Sequence, residues 1–360
     1  MANTLPDINV DFKQRAASFT KRGGTAILII KDDTNTTTVA EYDSYEDFEA
    51  DKAKYTAQNL QYIKDIFIGR PYKIVVVRIA GEDETISDAL KTIKSLYSTG
   101  WISIVGEKTD YDALIAWTKV QRTEYKKTFK SIVYSPTTPP DYEGIVELGN
   151  TEVIFKDARD KQVGNEFLPT LLGYIAATGV ERGTTYLVME NLKSVLEPEL
   201  PNQVLKNGQM VLINDENKVK IGLGINSLTT FNDDAPEDFS LIEVIETQDY
   251  MLDDIRSRFK NNYVGTYRNT LDNQMLFIGA VNTYFGELAA RDILDSNYNN
   301  TSFIDVVAQR KAWVDSGKEE AKNWDDETVK QNTFKRKLFL AGNVKILTTM
   351  TDLNFVITME

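Results

Sequence analysis

Apolar runs and stretches of helical period alternate along the first two thirds of the chain. Residues 25–30 (Thr-Ala-Ile-Leu-Ile-Ile) are continuously apolar, as suits a strand buried on both faces. Residues 55–68 carry Leu60, Ile63 and Phe67 at helical spacing and stop at Gly69 before Pro71. Residues 72–79 are apolar again, completing a βαβ-like unit. The same logic predicts helices over 87–98, 110–125 and 165–176, with strands over 101–105, 130–134, 153–155 and 186–189. Alternation of this kind predicts an open α/β sheet with helices on its faces. The Thr-rich residues 34–39 read as a loop or hairpin tip, and Pro136, Pro139 and Pro140 as an exposed loop. Within residues 205–231, segments 209–213 and 218–225 flank a turn at 214–217 and predict a hairpin.

The pattern changes at residues 232–238, an acidic, Pro-containing stretch that reads as a domain boundary. Beyond it, helices are expected over 248–259, with Met251, Leu252, Ile255 and Phe259 on one face, and over 274–289. A third is expected over 305–316, with Asp305 as N-cap and Gly317 as terminator, and a short fourth over 325–331. The chain then turns to period two. Val344 and Ile346 alternate with Lys345 and Leu347, and after Thr351-Asp352 the set Leu353, Phe355, Ile357 and Met359 points one way. The other end matches, with Ile8, Val10 and Phe12 on one side of a short run after Pro6. Both ends therefore predict strands that need an edge to pair with. The expected organisation is an N-terminal arm (1–22), an α/β domain (23–231), a C-terminal domain (232–342) and a C-terminal arm (343–360). Residues 13–22 form a basic connector ending in Gly23-Gly24, which reads as a flexible joint between the first strand and the body.

Composition narrows the function. A hydrophobic share of 42% and a charged share of 26% over 360 residues describe a folded protein with a large core. The net charge of −13, from 41 basic and 54 acidic residues, argues against a broad phosphate-contacting face, so no nucleic-acid partner is expected. The chain has neither cysteine nor histidine. That removes disulfides, zinc-thiolate sites, thiol nucleophiles and the histidine base of Ser-His-Asp catalysis. No leader-like segment and no apolar run near the roughly 18 residues of a membrane span is found, so assembly in a cytoplasm without membrane anchoring is expected.

Short motifs do not change this picture. Gly222-Leu-Gly224 lacks the third glycine of a dinucleotide fingerprint and reads as a turn. Residues 295–306 begin like a calcium loop but have Asn300 where Gly is needed and Val306 where Glu is needed. Ser18-x-x-Lys21 sits in the connector, and the pairs Asp233-Asp234 and Asp253-Asp254 read as solvated or capping carboxylates. No catalytic, cofactor or metal site is expected. Arg310, Lys311, Lys335, Arg336 and Lys337 stand out as a basic group in an acidic chain, a solvated face or a contact surface.

From residue 241 onward, several segments resemble the sheath protein of contractile phage tails and phage-tail-like bacteriocins, in the Gram-positive prophage type. They are residues 245–255, 263–265, 272–278 with Tyr284-Phe285, 304–311 and 344–355. The resemblance is looser over 23–231, where it implies an outer domain similar to the subtilisin fold without its catalytic residues. It implies a fold class of α/β plus α+β, the C-terminal sheath domain being completed by arm strands of neighbouring subunits. It also implies a non-enzymatic subunit, without cofactor, that forms stacked rings in a helical sheath and belongs to a virion tail or released tail-like particle. The partners implied are other copies of itself, a tail tube protein, and baseplate and tail terminator proteins. On that reading the arm residues are Ile8, Val10, Phe12, Val344, Ile346, Leu353, Phe355, Ile357 and Met359. Tube contact is expected first at Arg310-Lys311 and second at Lys335, Arg336 and Lys337. The competing readings are an α/β hydrolase or nucleotide-binding enzyme, and another self-assembling tube or shell protein.

Overall fold

A computed structural model describes residues 24–81, 84–233 and 235–356. In chain order the first elements are β1 (Thr25–Lys31), β2 (Val39–Tyr42), α1 (Tyr45–Asp51), α2 (Ala57–Gly69), β3 (Lys73–Ile79), α3 (Ile86–Leu96), β4 (Thr99–Ile104), α4 (Lys108–Thr123), β5 (Thr128–Tyr134) and β6 (Ile145–Leu148). Next come β7 (Glu152–Phe155), β8 (Lys161–Val163), α5 (Leu168–Thr178), β9 (Leu192–Val195), α6 (Pro201–Lys206), β10 (Gln209–Met210), β11 (Leu212–Asp215) and β12 (Lys218–Ile221). The rest is α7 (Ile242–Arg258), α8 (Leu271–Ala289), β13 (Thr301–Ile304), α9 (Val306–Asp315), α10 (Asp326–Gln331) and β14 (Leu340–Asn343).

The main sheet runs β10-β6-β5-β4-β1-β3-β2 and is parallel except for the edge strand β2. Its central strands are buried along their length because α2 and α5 cover one face and α3 and α4 pack on it as well. Helices α2 and α5 approach so closely that a Cβ on Gly69 or Gly173 would strike the facing backbone at 2.2 Å. Gly24 is of the same kind: a Cβ there would sit 2.1 Å from the Ala176 carbonyl oxygen, so it is a packing glycine rather than the flexible joint expected.

Three differences from the expected elements have local causes. Residues 186–189 do not form a strand: Tyr186 and Met189 each donate a backbone hydrogen bond to β12, but only one bridge, Val188 to Lys220, results. The expected hairpin begins later, because Gln209–Met210 joins the main sheet beside β6 and only β11 and β12 pair, about Glu216 and Asn217, both at positive φ. Residues 344–350 make one bridge, Leu294 to Ile346, instead of a strand, and residues 351–356 have no regular structure.

Among the described residues, two hydrophobic cores are present. The larger surrounds the main sheet and ends at Ile242; the smaller gathers Met251, Phe277, Val281, Tyr284, Phe285, Leu288, Ile293 and Leu294. The change of core falls inside α7, which runs unbroken from one to the other, and not at the acidic stretch 232–238.

Candidate functional site: the α7 seam and the C-terminal edge

The seam between the two cores is charged. On α7, Glu246, Asp249 and Asp253 stand at i, i+3 and i+7, so one helical stripe faces the amino ends of β4 and β5. Asp249 takes a two-pronged hydrogen bond from Arg122 at 2.7 and 3.1 Å and a third from Lys130 at 3.0 Å. Lys130 also meets Glu246 at 2.8 Å, and the Trp101 indole donates to the same carboxylate at 2.7 Å. Thr128 donates to Asp253 at 2.6 Å. Burial opposes the charge on Asp249, but Lys130 and Arg122 overcome it and hold the carboxyl below its usual range. Burial likewise opposes the charge on Lys130, and Glu246 and Asp249 push its pKa up. Asp253 differs: burial dominates and its pKa is raised. The pair Asp253-Asp254 is thus not simply the solvated or capping pair expected, since Asp253 is half-buried and accepts a hydrogen bond from Thr128 of β5.

The carboxyl ends of β1 and β4, where a doubly wound sheet offers a ligand crevice, are filled by the protein's own groups. Lys31 pairs with Asp110 at 2.8 Å, and Asp110 also accepts from the Glu107 backbone N–H at 3.0 Å. Asp32, buried, is nonetheless held far below the carboxylate range by donors from Thr34, Thr56 and Asn59, and it pairs with Arg78 at 2.6 Å. Gly224 meets Thr184 and Thr185 rather than opening a helix. Asp295 pairs with Lys345 at 2.9 Å. Among the described residues no group of three or more His, Cys, Asp or Glu side chains is placed to hold a metal, and no helix is long and apolar enough to cross a membrane.

The far end of the molecule presents an unfinished sheet. β13 and β14 pair antiparallel, from Thr301 with Asn343 to Ile304 with Leu340. Asn282 of α8 receives the Ser302 N–H at 2.6 Å and returns a bond to its carbonyl at 3.4 Å, so the outer edge of β13 is capped by a side chain. By alternation, Leu340 and Gly342 turn their backbone groups away from β13, and those groups meet no hydrogen-bond partner among the described residues.

The chain leaves this sheet in stages. Val344 and Ile346 pack on this chain's own smaller core, and Lys345 and Leu347 exchange backbone bonds with residues 293–295. These two apolar residues, expected in the inter-subunit arm, pack within the subunit, Ile346 bridging Leu294. Among the described residues Thr349 is the last to bond another element, donating through N–H at 3.0 Å and Oγ1 at 2.9 Å to the Glu243 carboxylate on α7. Beyond it Met350 is 100% exposed, Leu353 88% and Phe355 73%. Ile8, Val10, Phe12, Ile357 and Met359 lie outside the described residues, as does Ser18-x-x-Lys21.

The five basic residues separate into two kinds. Arg310 is paired with Asp326 and Lys311 with Asp315, each at 2.7 Å, so the first tube-contact candidate is neutralised within its own helices. Lys335, Arg336 and Lys337 are exposed and make no ion pair with a described residue. Asn269 holds their turn by donating to the carbonyls of Lys335 and Lys337 at 3.2 and 3.1 Å. The part played by Asn269 was not readable from sequence, since it acts across more than sixty residues.

Residues 234–360 match the family described as the phage tail sheath C-terminal domain. The chain is also 28% identical to the tail sheath protein of Clostridium phage phiCD119 over 369 positions, which cover 99% of each chain. It is similar to tail sheath proteins along its length. The fold agrees. The sheath tail protein of Desulfitobacterium hafniense superposes with a TM-score of 0.68 at 15% identity, over 85% of this chain and 92% of that one. The helical sheath of the anti-feeding prophage in its contracted state gives 0.68 at 10% identity, over 94% and 93%. The mixed α/β and α+β architecture is therefore that of sheath proteins.

Proposed function

We propose that this chain is a structural, non-enzymatic subunit of a contractile tail sheath. It polymerises helically around a rigid tail tube and contracts to drive that tube through a target cell envelope. The observation that carries the reading is the end-to-end similarity to a tail sheath protein, joined to a fold shared with a sheath in its contracted state. The particle is a virion tail or a released tail-like particle, assembled in a bacterial cytoplasm.

Arm exchange links the subunits. The open edge at Leu340 and Gly342 supports it, because unpaired strand edges take up added strands. So does the exposed apolar tail beyond Thr349. The donors are residues 1–22 and 350–360, and a head-to-tail contact of this kind generates an open helix. The domains work as an outer α/β body (23–231) and an inner sheath domain (232–342), with α7 as the rigid link between them.

Expressed with its tube and baseplate proteins, the chain is expected to give striated sleeves by negative-stain microscopy; unsheathed tubes would overturn the reading. Purified alone, it is expected to sediment as a monomer, and long polymers formed without a template would contradict the need for one.

Of the two tube-contact candidates, the exposed Lys335-Arg336-Lys337 turn is favoured, since Arg310 and Lys311 already have acidic partners. Reversing all three to Glu is expected to abolish sleeve formation on tubes in moderate salt while leaving the fold intact. A matching reversal of Arg310 and Lys311 that proved more damaging in the same assay, at equal stability, would restore the other choice.

A further inference from the structure

The C-terminal segment is tied to the body at every second residue and then released. Asn343 pairs with Thr301, Lys345 accepts from the Asp295 N–H at 2.8 Å and donates to Asn300 at 3.0 Å, and Leu347 donates to the Ile293 carbonyl at 3.0 Å. These ties all reach residues beside the smaller core. Thr349 continues the period but changes partner: its N–H and its hydroxyl both go to Glu243, in the first turn of α7 next to Ile242, the last member of the larger core. The clip therefore carries the chain across from one core region to the other. Beyond it no residue up to Val356 bonds another element among the described residues. A cleft of about 290 Å³ opens there, lined by Arg182, Thr185 and Tyr186 from the body and by Met350 and Thr351 from the tail.

The body leaves room for this contact. A Cβ on Gly183, in the loop after α5, would stand 2.5 Å from Thr349 Oγ1 and 2.7 Å from Glu243 Oε2, too close for either atom to stay where it is. Gly183 is outside the left-handed region, so what its missing Cβ supplies is space. A glycine with no room for a side chain, a carboxylate taking two donors and the last tied residue of the tail thus coincide, away from both the charged seam and the open edge of β14. We propose that Thr349 is the pivot of the C-terminal segment: its clip on Glu243 over Gly183 fixes where and in what direction the chain leaves the body, and the clip stays shut when the segment beyond it pairs with a neighbour. What the pivot serves rests on the arm exchange proposed above, while the clip itself belongs to the single subunit. Thr349 and Glu243 are positioning residues, acting through the tail and not on a partner directly.

Gly183→Ala separates the clip from the fold, because the atoms that must move are the ends of two side chains. In the full-length, unpolymerised subunit it is expected to speed hydrogen exchange of the Thr349 amide about tenfold, the scale of one charge-assisted hydrogen bond, with the Leu347 amide and the urea midpoint unchanged. Glu243→Ala is expected to do the same, and Glu243→Gln, which keeps an acceptor oxygen, to restore most of the protection. Wild-type exchange as fast at Thr349 as at Met350, or no change in Gly183→Ala, would overturn the pivot. Because the chain has no cysteine, Gly183→Cys with Thr349→Cys can be oxidised without competing thiols, which locks the clip shut. Offered tubes and baseplates, the oxidised subunit is expected to form sleeves as readily as wild type. Sleeves that appear only after reduction would mean that the tail must unclip, and would also overturn the pivot. Wild type that formed no sleeves at all would instead end the sheath reading, and the exchange measurements would still decide the clip.

Discussion

Removal of residues 350–360 is expected to leave a subunit that folds with unchanged stability and forms no sleeves. The described part of this segment, from Met350 to Val356, makes no hydrogen bond beyond Thr351 to its neighbour Asp352, and its apolar side chains face solvent. Losing such contacts costs the isolated fold within about 0.5 kcal/mol, the usual range for exposed positions. On the arm exchange proposed above, the same residues form the added strand in the polymer, and their loss would leave a neighbour's sheet edge unpaired. The double variant Leu353→Asp, Phe355→Asp is expected to act alike, because it keeps the backbone but makes burial of that face costly. Chemical denaturation and negative-stain microscopy of the same preparations give both readouts. Normal sleeves from the truncated protein would end the role assigned to the tail. Truncation before Thr349 is a different experiment, since it also removes the bonds to Glu243 and the packing of Val344 and Ile346.

Asp249→Ala is expected to be among the most destabilising single substitutions in the chain, at about 3–5 kcal/mol, because it strands buried cations without their shared partner. Arg122 lies on α4, which packs on β5, and Lys130 lies on β5 of the main sheet, while Asp249 lies on the helix that continues into the second core. The loss therefore weakens the continuous helix that runs from one core to the other as well as the fold. Urea titration followed by tryptophan fluorescence would report it, since Trp101 sits in the same network. A cost below about 1 kcal/mol would mean that the network adds little over solvation. The wild type also carries a pH signature. The carboxyl of Asp249 is depressed in the fold, so its contribution is present above the ordinary carboxylate pKa of about 3.9 and is lost as pH falls through the lower folded value. Asp253, whose pKa is raised, works with the opposite sign and softens the loss. Acid unfolding at a lower pH in wild type than in Asp249→Asn is the expected outcome.

The parts legible in the sequence were those set by local periodicity. β1, β3, β4, β5 and helices α2 to α5, α8 and α9 fall within a few residues of where apolar spacing, caps and glycine stops put them. Short strands escaped: β2, β6 and β9 span four residues each, too few for a period to register, and exist because a neighbouring edge is available. The reverse error came at 186–189 and 344–350, where apolar residues suited a strand but only isolated bridges formed.

For the site, sequence marked both chain ends and the basic residues, and it named Val344 and Ile346 as arm residues that the fold keeps for itself. It could not tell Arg310 from Lys335, because the partner that neutralises Arg310, Asp326, approaches only through the packing of α9 and α10. The stripe Glu246-Asp249-Asp253 was not singled out in the sequence, where only Asp253-Asp254 drew notice, as a solvated or capping pair. Its meaning depends on Arg122 and Lys130, more than a hundred residues away.

The amino-acid order alone determined the class of the molecule: an α/β body, a second helical region, terminal segments of strand period, and an inventory of side chains without histidine or cysteine. These are properties of neighbours along the chain, and hydrophobic period and residue chemistry suffice to define them. The tertiary structure alone decided where one core gives way to the other, which sheet edge stays open and which charges are already spent within the subunit. Those outcomes turn on which distant groups meet, and a burial or an ion pair has no energy until both partners are in place.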